Sequence, residues 1–157
     1  MIKIPTISNP SIISDAIIRI RSLLSSGLSD PGSPRAGTEQ FILTSWPERS
    51  VKYPIITLDA TMGVMERLGM QSEGAVVPVN FVINVFSKNV KQRDQLAGSV
   101  FNLLRTSQYD IDGTTGSGTV LERLYDFRLA NITSLDETGK EGLHRKIIDC
   151  QYKFITI

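Results

Sequence analysis

Ala75-Val76-Val77-Pro78-Val79-Asn80-Phe81-Val82-Ile83-Asn84-Val85-Phe86-Ser87 decides how this chain folds. Successive side chains of an extended backbone point to opposite faces. Val77, Val79, Phe81, Ile83 and Val85 therefore share one uniformly apolar face, and Pro78, Asn80, Val82, Asn84 and Phe86 share a mixed one. A strand of this kind belongs in a sheet whose apolar side is covered by a second layer. The flanking sequence has to supply both that layer and the neighbouring strands.

Helical periodicity stands on either side of the strand. In residues 9–27, Asn9 can cap, Pro10 suits a first turn, and Ile13, Ala16, Ile17, Ile20 and Leu24 recur at helical spacing. Ser14 and Asp15 place acceptors and negative charge near the positive end of that helix. Gly27 is the expected stop. Residues 90–106 return to the same period, with Val90, Ala97, Val100, Phe101 and Leu104 forming the predicted apolar stripe.

Shorter β-prone runs complete the sheet. Residues 41–45 and 53–59 are separated by Trp46-Pro47-Glu48-Arg49, where Pro47 interrupts any continuous ladder. Residues 121–132, with Tyr125, Phe127 and Leu129 alternating, and 144–156, with Ile148, Cys150, Tyr152 and Phe154 alternating, predict a closing hairpin turned at residues 136–142. Turn residues crowd into 29–37, and 107–119 ends in Gly-Thr-Thr-Gly-Ser-Gly-Thr, so both read as flexible loops. The order is helix, strands, helix, strands, with no βαβ regularity. The expectation is one α+β domain over residues 1–157: an antiparallel sheet of four to five strands with two main helices packed on one face.

Composition supports a self-sufficient core. A chain of 157 residues buries roughly 70% of its unfolded surface. Its 41% hydrophobic and 21% charged content excludes disordered and collagen-like classes. With 17 Lys plus Arg against 16 Asp plus Glu, no global field gathers nucleic acid or an anionic membrane. One cysteine rules out an internal disulfide and suits a reducing compartment. No apolar run approaches the 18 to 20 residues of a membrane span, and the start of the chain lacks signal-peptide form, so neither general secretion nor membrane insertion is expected.

Catalytic constellations are hard to assemble from this sequence. His144 is the sole histidine and lies beside Arg145 and Lys146, so a solvated polar role outweighs a metal site or a nucleophile triad. Cys150 falls on the apolar face of the last strand, where a buried inert thiol outweighs a reactive one. The glycines of residues 113–118 lack a P-loop lysine and precede a strand. Asp110 with Asp112, and Glu137 with Glu141, have no rigid frame to fix an acid/base separation. Neither a catalytic residue nor a cofactor or metal site is predicted. Lys88, Lys91 and Arg93, then Arg145, Lys146 and Lys153, form modest basic groups without interleaved aromatics, expected to be solvated. Trp46 reads either as a plug at the core's edge or as an anchor between subunits.

Three stretches carry a resemblance. The run Thr44-Ser45-Trp46-Pro47-Glu48-Arg49-Ser50-Val51-Lys52-Tyr53-Pro54-Ile55-Ile56-Thr57-Leu58, then Val79-Asn80-Phe81-Val82-Ile83-Asn84-Val85-Phe86-Ser87, then the helix through Lys91 and Leu104, resembles the tail-terminator (tail-completion) proteins of long-tailed phages and related archaeal viruses. That resemblance implies a homo-oligomeric ring, usually of six subunits, in the virion tail or neck and assembled in the host cytoplasm. The ring would cap the tail tube protein's polymer, end its growth and join it to the head connector, with DNA passing through its lumen without sequence-specific binding. It implies no active site. Flexible loops and an exposed aromatic are common contact material, so the expected interface residues are Arg35, Trp46, Arg49, Lys91 and Ser117.

Nothing in these stretches separates a terminator from a neck or head–tail adaptor protein of similar size. A nucleic-acid-binding accessory domain and an enzyme with a site assembled between subunits are the alternatives from other classes.

Overall fold

The computed structural model describes residues 12–37, 39–45, 51–63, 66–67, 75–106, 124–136 and 142–156. The elements, in chain order, are α1 (Ile12–Gly27), β1 (Ile42–Leu43), β2 (Ile55–Met62), β3 (Glu66–Arg67), β4 (Ala75–Ser87), α2 (Val90–Thr106), β5 (Leu124–Asp136) and β6 (His144–Thr156). The strand at 75–87 and the helix at 90–106 coincide with their sequence-predicted bounds. The sheet runs β1-β2-β4-β6-β5, with the two-residue β3 beside β4.

Most of the sheet is antiparallel, as expected, but β1 lies parallel to β2, pairing Ile42 with Ile56 and Leu43 with Thr57. The chain between them leaves the sheet and re-enters it in the same direction. The sheet is therefore mixed, and the short β3 was not anticipated.

Both helices cover one face. Ala16, Ile20 and Leu24 of α1 and Leu96, Ala97, Val100 and Leu104 of α2 meet Ile56, Leu58 and Ala60 of β2, Val79, Phe81, Ile83 and Val85 of β4, and Ile148, Cys150 and Tyr152 of β6. Each strand contributes every second residue, as the pleat requires. The rings of Phe81 and Tyr152 meet edge-on at 5.8 Å between centroids, the arrangement favoured by their quadrupoles.

The buried stripe of α2 differs from the expected one. Arg93, Leu96, Ala97, Val100 and Leu104 are buried, whereas Val90 is exposed in the first turn and Phe101 sits half-buried on the flank. Asn89 caps the helix, its Oδ1 accepting from the Gln92 amide at 3.1 Å. Ser87 Oγ accepts from the Asn89 amide at 3.1 Å and fixes the turn out of β4. Gly27 does more than end α1: a Cβ there would lie 2.5 Å from Leu103 of α2, so its missing side chain admits the second helix.

The opposite face of the sheet has a smaller apolar corner, Ile55, Phe86 and Leu143, and is otherwise a polar ladder. Gln151 Nε2 donates to Asn80 Oδ1 at 2.9 Å across the β4–β6 pair. Arg145 donates to Asn84 Oδ1 from Nε at 3.0 Å and from Nη2 at 2.8 Å, with its guanidinium 5.5 Å from the centre of the Phe86 ring.

Candidate interaction surface

The loop at residues 29–37 is built around Arg35, whose side chain is only 4% exposed. Asp30 accepts from Arg35 Nε at 2.6 Å and from Nη2 at 2.9 Å, and also from the Gly32 amide at 2.8 Å. Arg35 further donates to Glu39 at 3.3 Å and to the carbonyls of Lys52 and Pro54 on the approach to β2. Its guanidinium lies 5.5 Å from the centre of the Phe41 ring. The hydrogen bond from Arg35 holds the Asp30 carboxyl below its ordinary range, against the opposing effect of burial. A planar five-donor group thus gathers three chain segments, a task a lysine could not perform. The loop expected to be flexible is held against the body, and Arg35 is turned inward.

The other sequence-predicted contact residues separate. Lys91 is exposed in the first turn of α2. Trp46, Arg49 and Ser117 lie outside the described residues, as does the whole predicted loop at 107–119.

The basic groups are less free than the sequence suggested. Arg93 is buried and donates to Asp94 at 2.9 Å, and Lys146 reaches the same carboxylate at 3.1 Å, tying α2 to β6. These bonds, that from Arg93 foremost, lower the Asp94 pKa. Lys88 sits 5.8 Å from the centre of the Tyr53 ring, and Arg145 is engaged with Asn84. The strands therefore present intramolecular ties more than a uniform basic platform.

Cys150 occupies the core as expected, and burial pushes its thiol up to about 12, so it carries no thiolate at neutral pH. His144 is half-buried at the start of β6, paired with Ser87 and Asp136 of the neighbouring strands. Among the described residues no group of three His, Cys, Asp or Glu could hold a metal ion, and no helix is long and apolar enough to cross a membrane.

The feature that sequence reasoning missed is the shape of β5. It extends four residues beyond the expected end, and its register slips between Tyr125 and Arg128 and again between Leu129 and Asn131. Those slips break the predicted alternation. The helices rest on β1, β2, β4 and β6, leaving β5 at the margin, and residues 128–135 are all exposed. Where the strand bends, Arg128, Ala130, Asp149, Gln151, Asn80 and Val82 line an open cleft of about 510 Å³ on the polar face. The only hint in the sequence is Leu129-Ala130-Asn131, where the apolar-polar alternation falls out of step.

No known protein family matches the chain, and no curated protein does either. Among solved structures it is similar to a chain of the virion of a native gene transfer agent particle. That likeness has a TM-score of 0.57 at 13% identity and spans 92% of this chain and 98% of the other. At that identity the likeness is one of fold, and it extends over nearly the full length of both molecules.

Proposed function

We propose that this chain is a structural subunit of a phage-like virion, which closes into a ring on the end of a tail tube, stops the tube's polymerisation and joins it to the head connector. The observation that carries this reading is the fold shared, almost end to end, with a component of a gene transfer agent virion. The tail-terminator words in residues 44–58 and 79–87 favour the tail end of such a particle over other positions, and a ring of six follows from the same resemblance. The chemistry is compatible. An assembly subunit needs a stable body and surfaces that meet unlike surfaces on its neighbours, not polarised side chains poised for bond-making. The half-pinned loop at 29–37, Lys91 and the segments that hold Trp46, Arg49 and Ser117 are the contact material this role would use.

Electron microscopy of the purified protein, alone and mixed with polymerising tail tubes, tests the proposal. Rings that sit on tube ends and arrest growth are expected. Rings that bind only the head connector would reassign the chain to a neck adaptor, and particles that neither close nor touch tubes would overturn the reading.

A further inference from the structure

Among the described residues six large hydrophobic side chains stand exposed, and four of them lie on two strand edges: Met62 at 42% on β2, and Leu129 at 37%, Ile132 at 37% and Leu135 at 46% on β5. The edges stand at opposite ends of the sheet. β4 accompanies β2 along its whole length, but β1 covers its other side only at Ile56 and Thr57. Among the described residues, positions 58–62 therefore have no strand beyond them, and β5 has β6 alone. An uncovered edge exposes a row of amides and carbonyls that a further strand can satisfy.

The defences that usually blunt such an edge are thin here. The irregularities of β5 end at Asn131, and residues 131–136, Asn-Ile-Thr-Ser-Leu-Asp, run in regular register with no proline, no lysine and one charge. The free stretch of β2, Leu-Asp-Ala-Thr-Met, also carries one charge, Asp59, whose Oδ1 accepts from the edge amide of Ala60 at 2.8 Å and must release it to an incoming strand. Direction matches as well. Each of β2, β4, β6 and β5 is antiparallel to the next, so β5 runs opposite to β2. A second copy placed by continuing the sheet would bring its β5 antiparallel to this β2.

We propose that residues 131–136 of one copy add as a strand to residues 58–62 of the next. This rests on the ring reading above and names its contact. One register suits both edges: Ile132 opposite Met62, Ser134 opposite Ala60 and Leu135 opposite Asp59, with β1 ending the free slot at Thr57. Ile132 is level with Ile148 in the sheet, and Met62 continues the Leu58–Ala60 alternation, so both lie on the helix-bearing face and the pair shields two exposed apolar side chains. A strand addition of this length buries less than the roughly 1,200 Å² of a durable pairwise complex. An isolated pair is therefore weak. Because the two edges are unlike, copies join head to tail, and closure lets each copy both give and receive a strand.

Sedimentation velocity on the full chain tests this with Met62→Lys, Ile132→Lys and the cysteine pair Met62→Cys with Ile132→Cys. The wild type is expected to sediment as a closed oligomer. Each lysine variant should raise the dissociation constant for self-association about tenfold or more while leaving circular dichroism unchanged, since both sites are exposed in the subunit. The cysteine pair should oxidise to a ladder of covalent multimers that neither single cysteine variant gives. A wild type that stays monomeric at every concentration overturns the contact, as do lysine variants that assemble normally or a cysteine pair that fails to cross-link. Rings that form through these edges yet ignore tail tubes would leave the contact standing and remove the tail role. Rings that cap tubes despite both lysines would do the reverse.

Discussion

At the β1–β2 end of the sheet, α1 lies over the strands and Arg35 ties the preceding loop to the entrance of β2. At the β5 end the helix layer has stopped, and residues 128–135 are exposed along the whole described stretch. The two ends share one sheet and one register system yet hold their energy differently. The first spends apolar area and a buried ion-pair network on the stability of the subunit. The second leaves apolar side chains and backbone groups in water, where they contribute little until something covers them. Substitutions should therefore separate into those that unfold the subunit and those that leave it folded but change what it joins.

The largest effect is expected at the centre, where both ends are anchored. Ile83 is fully buried on β4 within the helix-covered core, and Ile83→Ala should cost about 3 to 4 kcal/mol in urea unfolding. A cost below about 1 kcal/mol would mean that the helix-covered face is not the core.

Next comes the pinned end. Arg35→Met removes the donor shared by Asp30, Glu39 and two carbonyls, and should cost about 2 kcal/mol because it leaves part-buried acceptors without their donor. Limited proteolysis should also cut the loop at 29–37 in this variant and not in the parent, because the ties from Arg35 are gone. A neutral outcome in both measurements would mean the network is decorative.

Acid sharpens the same comparison. The Asp30 carboxyl is depressed in the folded state, so its contribution to stability is fully present above the unfolded value of about 3.9 and is lost as pH falls toward the folded value. Melting temperature should hold between roughly pH 7 and 5 and decline below about pH 4. Asp30→Asn should flatten part of that decline. An unchanged acid slope in Asp30→Asn would assign the decline elsewhere.

The smallest effect on folding is expected at the open end. Leu135→Ser alters an exposed side chain and should change subunit stability by less than about 0.5 kcal/mol. A loss above 2 kcal/mol would show that β5 is covered within the subunit after all.

How much of this was legible in the sequence follows the same division. The 75–87 strand and the 90–106 helix could be bounded from periodicity alone because one face of each is buried against many partners, and burial imposes a strict repeat. Cys150 could be placed in the core for the same reason. The parallel β1–β2 pair could not be read, because a two-residue strand carries no period and its direction depends on where the chain re-enters the sheet. Nor could the inward turn of Arg35: a loop rich in Pro, Gly and Ser looks mobile until its arginine is seen to find acceptors 17 and 19 residues away. On β5 the forecast alternation failed because, among the described residues, the helices rest on its neighbours and 128–135 are exposed, so little selects against a slip in register.

Hydrogen exchange followed by mass spectrometry, comparing the assembled protein with the dissociated subunit, meets the central claim most directly. Amides in residues 131–136 and 58–62 should gain protection on assembly by at least about tenfold while those of α2 stay as they were. Equal exchange at both edges in the two states would contradict the claim that this sheet is completed by its neighbours.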